Sequence, residues 1–175
     1  MEQPALSHDD GPIGLVLAPT RELCQQIHAI FCKYAKLFTL NVLPVFGGVD
    51  PHVLWKQIKH KVNEICISTP GKLMEFLKKK AFTLTSRCTF LVIDEADRMF
   101  DLGFEYQLRS IVNQIRPDRQ TLMFSATFPK KVQELACDIL NSCPVKISIG
   151  KPPDDGSRAV ANEDVDQKVL IFDKE

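Results

Sequence analysis

The sequence has no apolar run long enough to cross a bilayer, and residues 1–12 have none of the apolar character of a signal peptide. It also has no net charge, because 22 Lys and Arg residues balance 22 Asp and Glu residues. A nucleic acid would therefore have to be bound by local basic groups and backbone amides rather than by a bulk positive field. We expect a soluble protein of the cytoplasm or nucleus without a membrane partner.

The cysteines form no Cys-x-x-Cys pair and share no metal-ligand spacing with the four histidines. Most lie within apolar runs, so we expect reduced thiols in the core of an intracellular protein rather than a zinc site. The six are Cys24, Cys32, Cys66, Cys88, Cys137 and Cys143.

Short apolar runs alternate with segments of helical periodicity along most of the chain, whose 175 residues suffice for one ordinary domain. This alternation predicts an α/β fold with a parallel sheet and right-handed crossovers. The predicted strands cover 13–18, 42–46, 65–68, 90–94, 121–125 and 145–149. The first predicted helix follows Thr20 and extends to about residue 38, and the second ends near residue 61. The other three cover 70–80, 104–115 and 129–140.

The clearest chemical feature is the junction at residues 90–98, where four large apolar residues are followed by Asp94, Glu95 and Asp97. The apolar run predicts a strand buried on both faces, with the acids at its carboxyl end. Ligands of parallel sheets bind outside these ends, where two acids can hold Mg²⁺ on a phosphate chain and orient a water. A helix N-terminus, where acids favour the helix dipole, explains the same residues equally well.

Two other strand ends carry groups that suit a phosphate. Thr20 is a good helix N-cap, and the amides of a helix N-terminus together with Thr20 and Arg21 can bind an anion. Gly47 and Gly48 permit a close backbone approach or a positive φ. Taken alone, each segment is also explained by an ordinary helix cap or turn.

Asp94-Glu95-Ala96-Asp97 is, letter for letter, the motif that names the DEAD-box ATP-dependent RNA helicases, and the chain resembles that family. The resemblance implies that Asp94 coordinates Mg²⁺ and that Glu95 polarises the attacking water. It also implies that Asp97 links this loop to the family's Ser-Ala-Thr motif, here at residues 125–127. The implied catalytic residues are Asp94, Glu95, Asp97, Ser125 and Thr127.

The same resemblance implies contacts to the phosphate backbone of RNA, with little base preference. Residues 18–23 are similar to motif Ia, residues 47–48 to the Gly-Gly motif and residues 69–73 to motif Ib. Lys72 stands where the family usually has Arg, which keeps the charge but loses the bidentate fork. The implied RNA-binding residues are Pro19, Thr20, Arg21, Glu22, Gly47, Gly48, Thr69, Pro70, Gly71 and Lys72.

Three parts of the family's machinery have no match in these 175 residues: the Gly-x-x-x-x-Gly-Lys-Thr phosphate loop, the adenine-reading glutamine motif and the arginine finger of the second domain. The resemblance thus implies an incomplete RecA-like sheet without the phosphate-loop strand. Mg²⁺ and ATP are implied as cofactors of the complete parent, and we expect neither to bind stably here. We also expect neither ATP hydrolysis nor RNA unwinding by this chain alone.

The predicted organisation is a disordered loop at 1–12, a partial RecA-like helicase domain 1 at 13–150, and a linker with the first strand of a truncated second domain at 151–175. Without the phosphate-loop strand, residues 122–124 would lie on an unpaired apolar edge. Unpaired edges invite association, so we expect an aggregation-prone monomer.

Residues 97–107 and 116–120 are most similar to the DEAD-box subfamily linked to the spliceosomal particle that selects the branch site. This resemblance implies RNA and spliceosomal proteins as partners and favours the nucleus. One alternative is a catalytically inert short form that binds RNA or other proteins. Another is a metal-dependent phosphodiesterase built on Asp94, Glu95 and Asp97. It is disfavoured because Asp9, Asp10 and Asp118 are poorly placed to complete a two-metal site.

Overall fold

The structure, a computed structural model, describes residues 10–140 and 144–149. The chain divides into two compact units, residues 1–143 and 144–175. The predictions for residues 1–9 and for the linker and strand at 151–175 lie outside the described residues.

The first unit contains a five-stranded, all-parallel sheet in the order β2-β3-β1-β4-β5, so the predicted α/β class is confirmed. The strands are β1 (Gly14–Leu17), β2 (Val42–Val45), β3 (Ile65–Ser68), β4 (Phe90–Ile93) and β5 (Gln120–Met123). The helices are α1 (Arg21–Ala35), α2 (Pro51–His60), α3 (Pro70–Lys78), α4 (Ala96–Asp101), α5 (Glu105–Val112) and α6 (Lys130–Ile139). A short 3-10 helix, Lys36–Phe38, follows α1 directly.

Alternate residues of the strands point to opposite faces, and the two faces are covered unequally. On one face, Leu17, Leu43 and Leu91 belong to a large core that includes apolar residues of α2 to α6. On the other face, Val16 and Ile67 belong to a smaller core that includes α1. The sheet is therefore sandwiched between helices, with far more of them on the first face.

The prediction that β4 is buried on both faces was only half right. Leu91 and Ile93 are fully buried, whereas Phe90 is partly exposed and Val92 is only half-buried. The second face is less covered because α1, whose residues share its core, packs against β2 and β3. Four apolar residues in a row indicate a buried strand, but they do not reveal how many helices cover each side of it.

Two other details differ from the predictions. Residues 11 and 12 were assigned to a disordered loop, yet Gly11 and Pro12 are buried, and a Cβ added at Gly11 would overlap the carbonyl of Thr83. The absence of a side chain is what allows this close backbone approach. Helix α4 was not predicted as an element, because six residues are too few to display a helical period.

The predicted strand at 145–149 is wrong. Residues 144–149, the described part of the second unit, form neither a strand nor a helix, and Val145, Ile147 and Ile149 are exposed. An alternating apolar pattern becomes a strand only when its backbone groups can bond to a neighbouring strand. In the first unit, β5 is the last strand of the described sheet and pairs only with β4, as predicted for an open edge.

The described cysteines are all free thiols. Cys24, Cys66 and Cys88 are buried, which confirms the prediction of core thiols for these three, whereas Cys137 on α6 is exposed. Burial raises the pKa of Cys24 to about 12 and that of Cys88 to about 11, so both are protonated at neutral pH. Within the described ranges, no helix has the length and apolar character needed to span a membrane.

Candidate functional site

All five strands end in register at one edge of the sheet. Leu17 lies opposite Ser68 and Ile93, Ser68 lies opposite Val45, and Ile93 lies opposite Met123. Every predicted site residue belongs to a loop or helix start that follows one of these ends. The strand order divides them into two adjacent groups: the predicted RNA-binding segments follow β2, β3 and β1, and the predicted catalytic segments follow β4 and β5.

Hydrogen bonds of Asp97 join the two loops of the predicted catalytic group. Its Oδ2 accepts hydrogen bonds from the backbone N–H of Thr127 at 2.9 Å and from the Thr127 hydroxyl at 2.7 Å. The backbone N–H of Asp97 donates to the Ser125 hydroxyl at 3.0 Å, and that hydroxyl donates to the Thr127 carbonyl at 2.7 Å. Asp97 thus forms one closed network with Ser125 and Thr127, which lie 28 and 30 positions further along the chain.

The electrostatics of Asp97 fit this role. Partial burial raises the pKa of its carboxyl, but hydrogen bonds from Thr127, Ser125 and the N–H of Arg98 outweigh the burial and hold the pKa below its usual range. Asp97 is therefore ionised at neutral pH. Its bonds to Thr127 are consequently charge-assisted, which makes them stronger than bonds between neutral groups.

Asp94 and Glu95 lie between the end of β4 and the start of α4, so the predicted strand end and the predicted helix start both occur at this junction. The Asp94 N–H donates to the carbonyl of Leu17 at 2.9 Å, and its Oδ1 accepts from the Glu95 N–H at 3.0 Å. Glu95 has the left-handed backbone angles φ 49° and ψ 54°. Non-glycine residues adopt this conformation at a cost, and such strain is concentrated at functional sites.

Two segments of the predicted RNA-binding group are in contact with each other. Arg21, at the start of α1, is exposed, and its guanidinium lies against Gly48, where an added Cβ would overlap it. Gly48 has φ 83°, a conformation that favours glycine. The Thr20 hydroxyl accepts a hydrogen bond from the N–H of Leu23 at 3.2 Å, so it caps α1 as predicted.

The segment after β3 also begins a helix, with Pro70 in the first turn of α3 and Thr69 at the N-cap position, where its side chain makes no capping hydrogen bond. Lys72 forms a 2.7 Å salt bridge with Glu75, and its ammonium lies 5.5 Å from the centre of the Phe76 ring. Hydrogen bonds from Lys72 and Lys79 lower the pKa of Glu75 to about 2. Lys72 therefore has an acidic partner on its own helix, and an RNA phosphate would have to compete with that partner.

Ser68, the last residue of β3, is a further residue of this site that was not predicted from the sequence. Its side chain is fully buried, and its hydroxyl donates a hydrogen bond to the carbonyl of Val45, the last residue of β2. This bond fixes the ends of two strands that carry predicted RNA-binding loops. The sequence feature that could have indicated this role is a serine at the end of an otherwise apolar strand.

The aligned strand ends, with acids and hydroxyls on one half, are those of a parallel α/β domain whose candidate site lies at the carboxyl ends of its strands. The family model described as DEAD/DEAH box helicase matches residues 1–135, and the chain belongs to this family. It is 50% identical over 172 residues to DEAD-box ATP-dependent RNA helicase 24 of Arabidopsis thaliana, covering 98% of this chain and 21% of that protein. It is 50% identical over 174 residues to ATP-dependent RNA helicase DDX42 of Homo sapiens, covering 98% of this chain and 17% of that protein.

The crystal structure of the yeast DEAD-box splicing factor Prp28 superimposes with a TM-score of 0.70 at 33% identity, covering 75% of this chain and 31% of that chain. The RecA-like fold predicted from the sequence is therefore confirmed. The chain spans about a fifth of the length of the two curated relatives.

Proposed function

We propose that this chain contributes the RNA-contacting loops and part of the hydrolysis site of an ATP-dependent RNA helicase. In that enzyme, RNA-stimulated ATP hydrolysis would drive local duplex unwinding or the remodelling of RNA–protein complexes. The observation that carries the proposal is the network of Asp97 with Ser125 and Thr127, which ties the loop after β4 to the loop after β5.

Backbone bonds extend this coupling towards the RNA-binding half of the edge. The Ala96 N–H donates to the Phe124 carbonyl, and the Asp94 N–H donates to the carbonyl of Leu17. Leu17 ends β1, two residues before Pro19, where the first predicted RNA-binding segment begins. A movement of the loop after β4, which carries Asp94 and Glu95, would therefore displace both the Ser-Ala-Thr loop and an RNA-binding loop.

The acidic residues at this edge are suited to form one part of a Mg²⁺ site whose other ligands come from a bound nucleotide and from water. Mg²⁺ in such sites takes one or two protein carboxylates, with phosphate oxygens and waters as the other ligands, and Asp94 would supply a carboxylate. In the described part of the chain, no group of three or more His, Cys, Asp or Glu residues could hold a metal without such help. When bound, Mg²⁺–ATP would supply the phosphoryl group to be hydrolysed, and Glu95 would orient the attacking water.

Because no Gly-x-x-x-x-Gly-Lys-Thr segment occurs in these 175 residues, we propose that the chain alone binds RNA without hydrolysing ATP. The absence of this segment also favours the second candidate, a catalytically inert RNA-binding form that occupies RNA without remodelling it. In both cases RNA binding should be independent of ATP.

The test is fluorescence anisotropy with a labelled, uridine-rich single-stranded RNA, run with and without Mg²⁺–ATP. Arg21→Ala should weaken binding and reduce the slope of log affinity against log salt by about 1, because one phosphate contact is lost. Lys56→Ala, at an exposed position on α2, is the matched control and should leave the slope unchanged. Mg²⁺–ATP should leave both affinities unchanged.

A parallel assay for phosphate release separates the proposals. RNA-stimulated phosphate release by the purified chain would contradict its inactivity. Mg²⁺-dependent cleavage of the RNA without nucleotide would instead support the phosphodiesterase alternative. If the 175 residues abolish RNA unwinding by a complete family member when added in excess, the inert competitor is favoured.

We further propose that the RNA is part of the splicing machinery and that the protein acts in the nucleus. The support is the similarity to Prp28, which is described as a splicing factor, and the subfamily resemblance of residues 97–107 and 116–120. Recovery of spliceosomal small nuclear RNAs after cross-linking to a tagged chain in cells would support this. A tagged chain confined to the cytoplasm would contradict it.

A further inference from the structure

A second surface, remote from the RNA-binding edge, is apolar and yet exposed. Ile30, Tyr34, Leu37 and Phe38 are between 53% and 75% exposed, and Leu40, just beyond the 3-10 helix, is 37% exposed. Residues 30, 34 and 37 follow the i, i+4, i+7 spacing that places side chains along one face of a helix. We call these five residues the α1 ridge.

The α1 ridge is not the surface by which α1 packs on the sheet. That surface consists of the buried Cys24 and Ala35, with Ile27 and Phe31 partly buried beside them. The ridge is an extension of this apolar face into solvent. Its residues could therefore be polar without loss of the core, and their apolar character calls for another explanation.

The size of the ridge is that of a protein contact. With roughly 200 Å² for each large side chain, the exposed fractions correspond to an apolar area on the order of 600 Å². Contiguous exposed patches beyond a few hundred Å² mark interaction sites, and a stable protein interface buries about 800 Å² on each partner. The ridge and its polar margin would supply most of that area.

The chain segment that carries the ridge has charged side chains of one sign only. No Asp or Glu occurs between Glu22 and Asp50, while Lys33 and Lys36 are exposed within the ridge segment. Glu64 lies next to the end of this segment, where its Oε2 accepts a hydrogen bond from the N–H of Asn41 at 2.7 Å. The surface thus combines apolar anchors with two exposed lysines, and a complementary partner would be acidic.

We propose that the α1 ridge docks an amphipathic, acidic helix of another protein. Apolar residues of that helix at i, i+4 and i+7 would lie against Ile30, Tyr34 and Leu37, and flanking Asp or Glu residues would pair with Lys33 and Lys36. A helix fits better than an extended strand, because the ridge is a helical surface whose backbone groups are already bonded and whose side chains can interdigitate with those of a second helix.

The docked helix would leave the RNA-binding edge open. Ile30, the ridge residue nearest to Arg21 along α1, lies nine residues beyond it, and Leu37 lies sixteen residues beyond it. At a rise of about 1.5 Å per residue these separations are about 14 Å and about 24 Å, so partner and RNA could bind together. The inference therefore does not depend on the proposed RNA function.

The experiment uses the full chain and two synthetic helical peptides of identical apolar spacing, one with Glu and one with Lys at the flanking positions. Anisotropy should show binding of the Glu peptide at least about tenfold tighter than that of the Lys peptide, with a loss at high salt. Methyl NMR spectra should show shifts at Ile30, Leu37 and Leu40 on addition of the Glu peptide.

Variants on the ridge should remove this binding while the fold persists. We expect Leu37→Ser to weaken binding of the Glu peptide at least about tenfold. The double change Lys33→Glu with Lys36→Glu should weaken it by at least the same factor. The double change should also reverse the preference between the peptides. Val53→Ser and Lys56→Glu replace exposed residues of α2 and serve as matched controls without effect.

Three results would overturn the proposal. The first is equal affinity for both peptides, or methyl shifts centred on β5 instead of the ridge. The second is a dimer of the chain, seen by light scattering, that Leu37→Ser dissociates, since the occupant would then be a second copy. The third is binding to vesicles with anionic headgroups that depends on Lys33 and Lys36, without peptide binding, which would assign the ridge to a membrane surface.

Discussion

Replacing Asp97 by Asn should destabilise the chain measurably, because the carboxylate accepts two hydrogen bonds from Thr127. Hydrogen bonds to charged groups contribute about 1.5–3 kcal/mol each when buried, and the partial exposure of this site places them at the low end. Asn keeps the size and one acceptor oxygen, so we expect a loss of about 2 kcal/mol in the free energy of unfolding. In urea this corresponds to a midpoint lowered by about 1 M.

The pH dependence of this loss of stability distinguishes the hydrogen bonds of an ionised Asp97 from a change in packing, which would not depend on pH. The folded pKa of Asp97 lies below its unfolded value, so its contribution is fully present above the unfolded pKa and is lost as pH falls through the folded pKa. The difference in unfolding free energy between the parent chain and Asp97→Asn should be constant near neutral pH. It should shrink as the pH falls below about 4.

A double-mutant cycle with Thr127→Val isolates the interaction. The two changes should couple by about 1 kcal/mol, because each removes the same hydroxyl-to-carboxylate bond. Asp101→Asn, an exposed acid at the end of α4, is the matched control and should change stability by less than about 0.5 kcal/mol. Additive effects of Asp97→Asn and Thr127→Val, or a stability difference that persists undiminished at low pH, would refute the reasoning.

Three further outcomes are expected. Gly48→Ala should weaken RNA binding several-fold by displacing the Arg21 guanidinium, whereas Lys56→Ala on α2 should not. Equal effects of the two changes in the anisotropy assay would count against the contact between Arg21 and Gly48. Glu95→Gly should raise the free energy of unfolding by up to about 1 kcal/mol by relieving the left-handed strain, and a loss in urea titration would show that the side chain holds the loop. Leu122→Lys on the open edge strand β5 should suppress concentration-dependent association in sedimentation velocity; an already monomeric parent chain would contradict the predicted aggregation.

The local elements and the position of the site could be predicted because they depend on short patterns. The apolar run of β4 and the acids that follow it locate Asp94 and Glu95 at a strand end, and parallel strands bring such ends to one edge. The motif match then identified Thr127 as a partner of Asp97, a contact between residues 30 positions apart that no local pattern reveals.

The remaining features depend on packing between distant segments. Two examples are the stacking of Arg21 against Gly48 and the hydrogen bond from Ser68 to Val45. Both can be predicted only if the neighbouring strands are known, and the periodicity of a single strand does not determine the strand order of the sheet. The predicted strand at 145–149 failed for the same reason, since its pattern does not specify a partner.

The most direct test is ultraviolet cross-linking of the full chain to a uridine-rich single-stranded RNA without nucleotide, followed by mass spectrometry of the cross-linked peptides. Loops of the aligned strand ends should carry the RNA, at residues 19–22, 47–48 and 69–72. Cross-links confined to residues 53–64, which lead towards the amino end of β3, would contradict an RNA-binding role for the carboxyl ends of β1, β2 and β3.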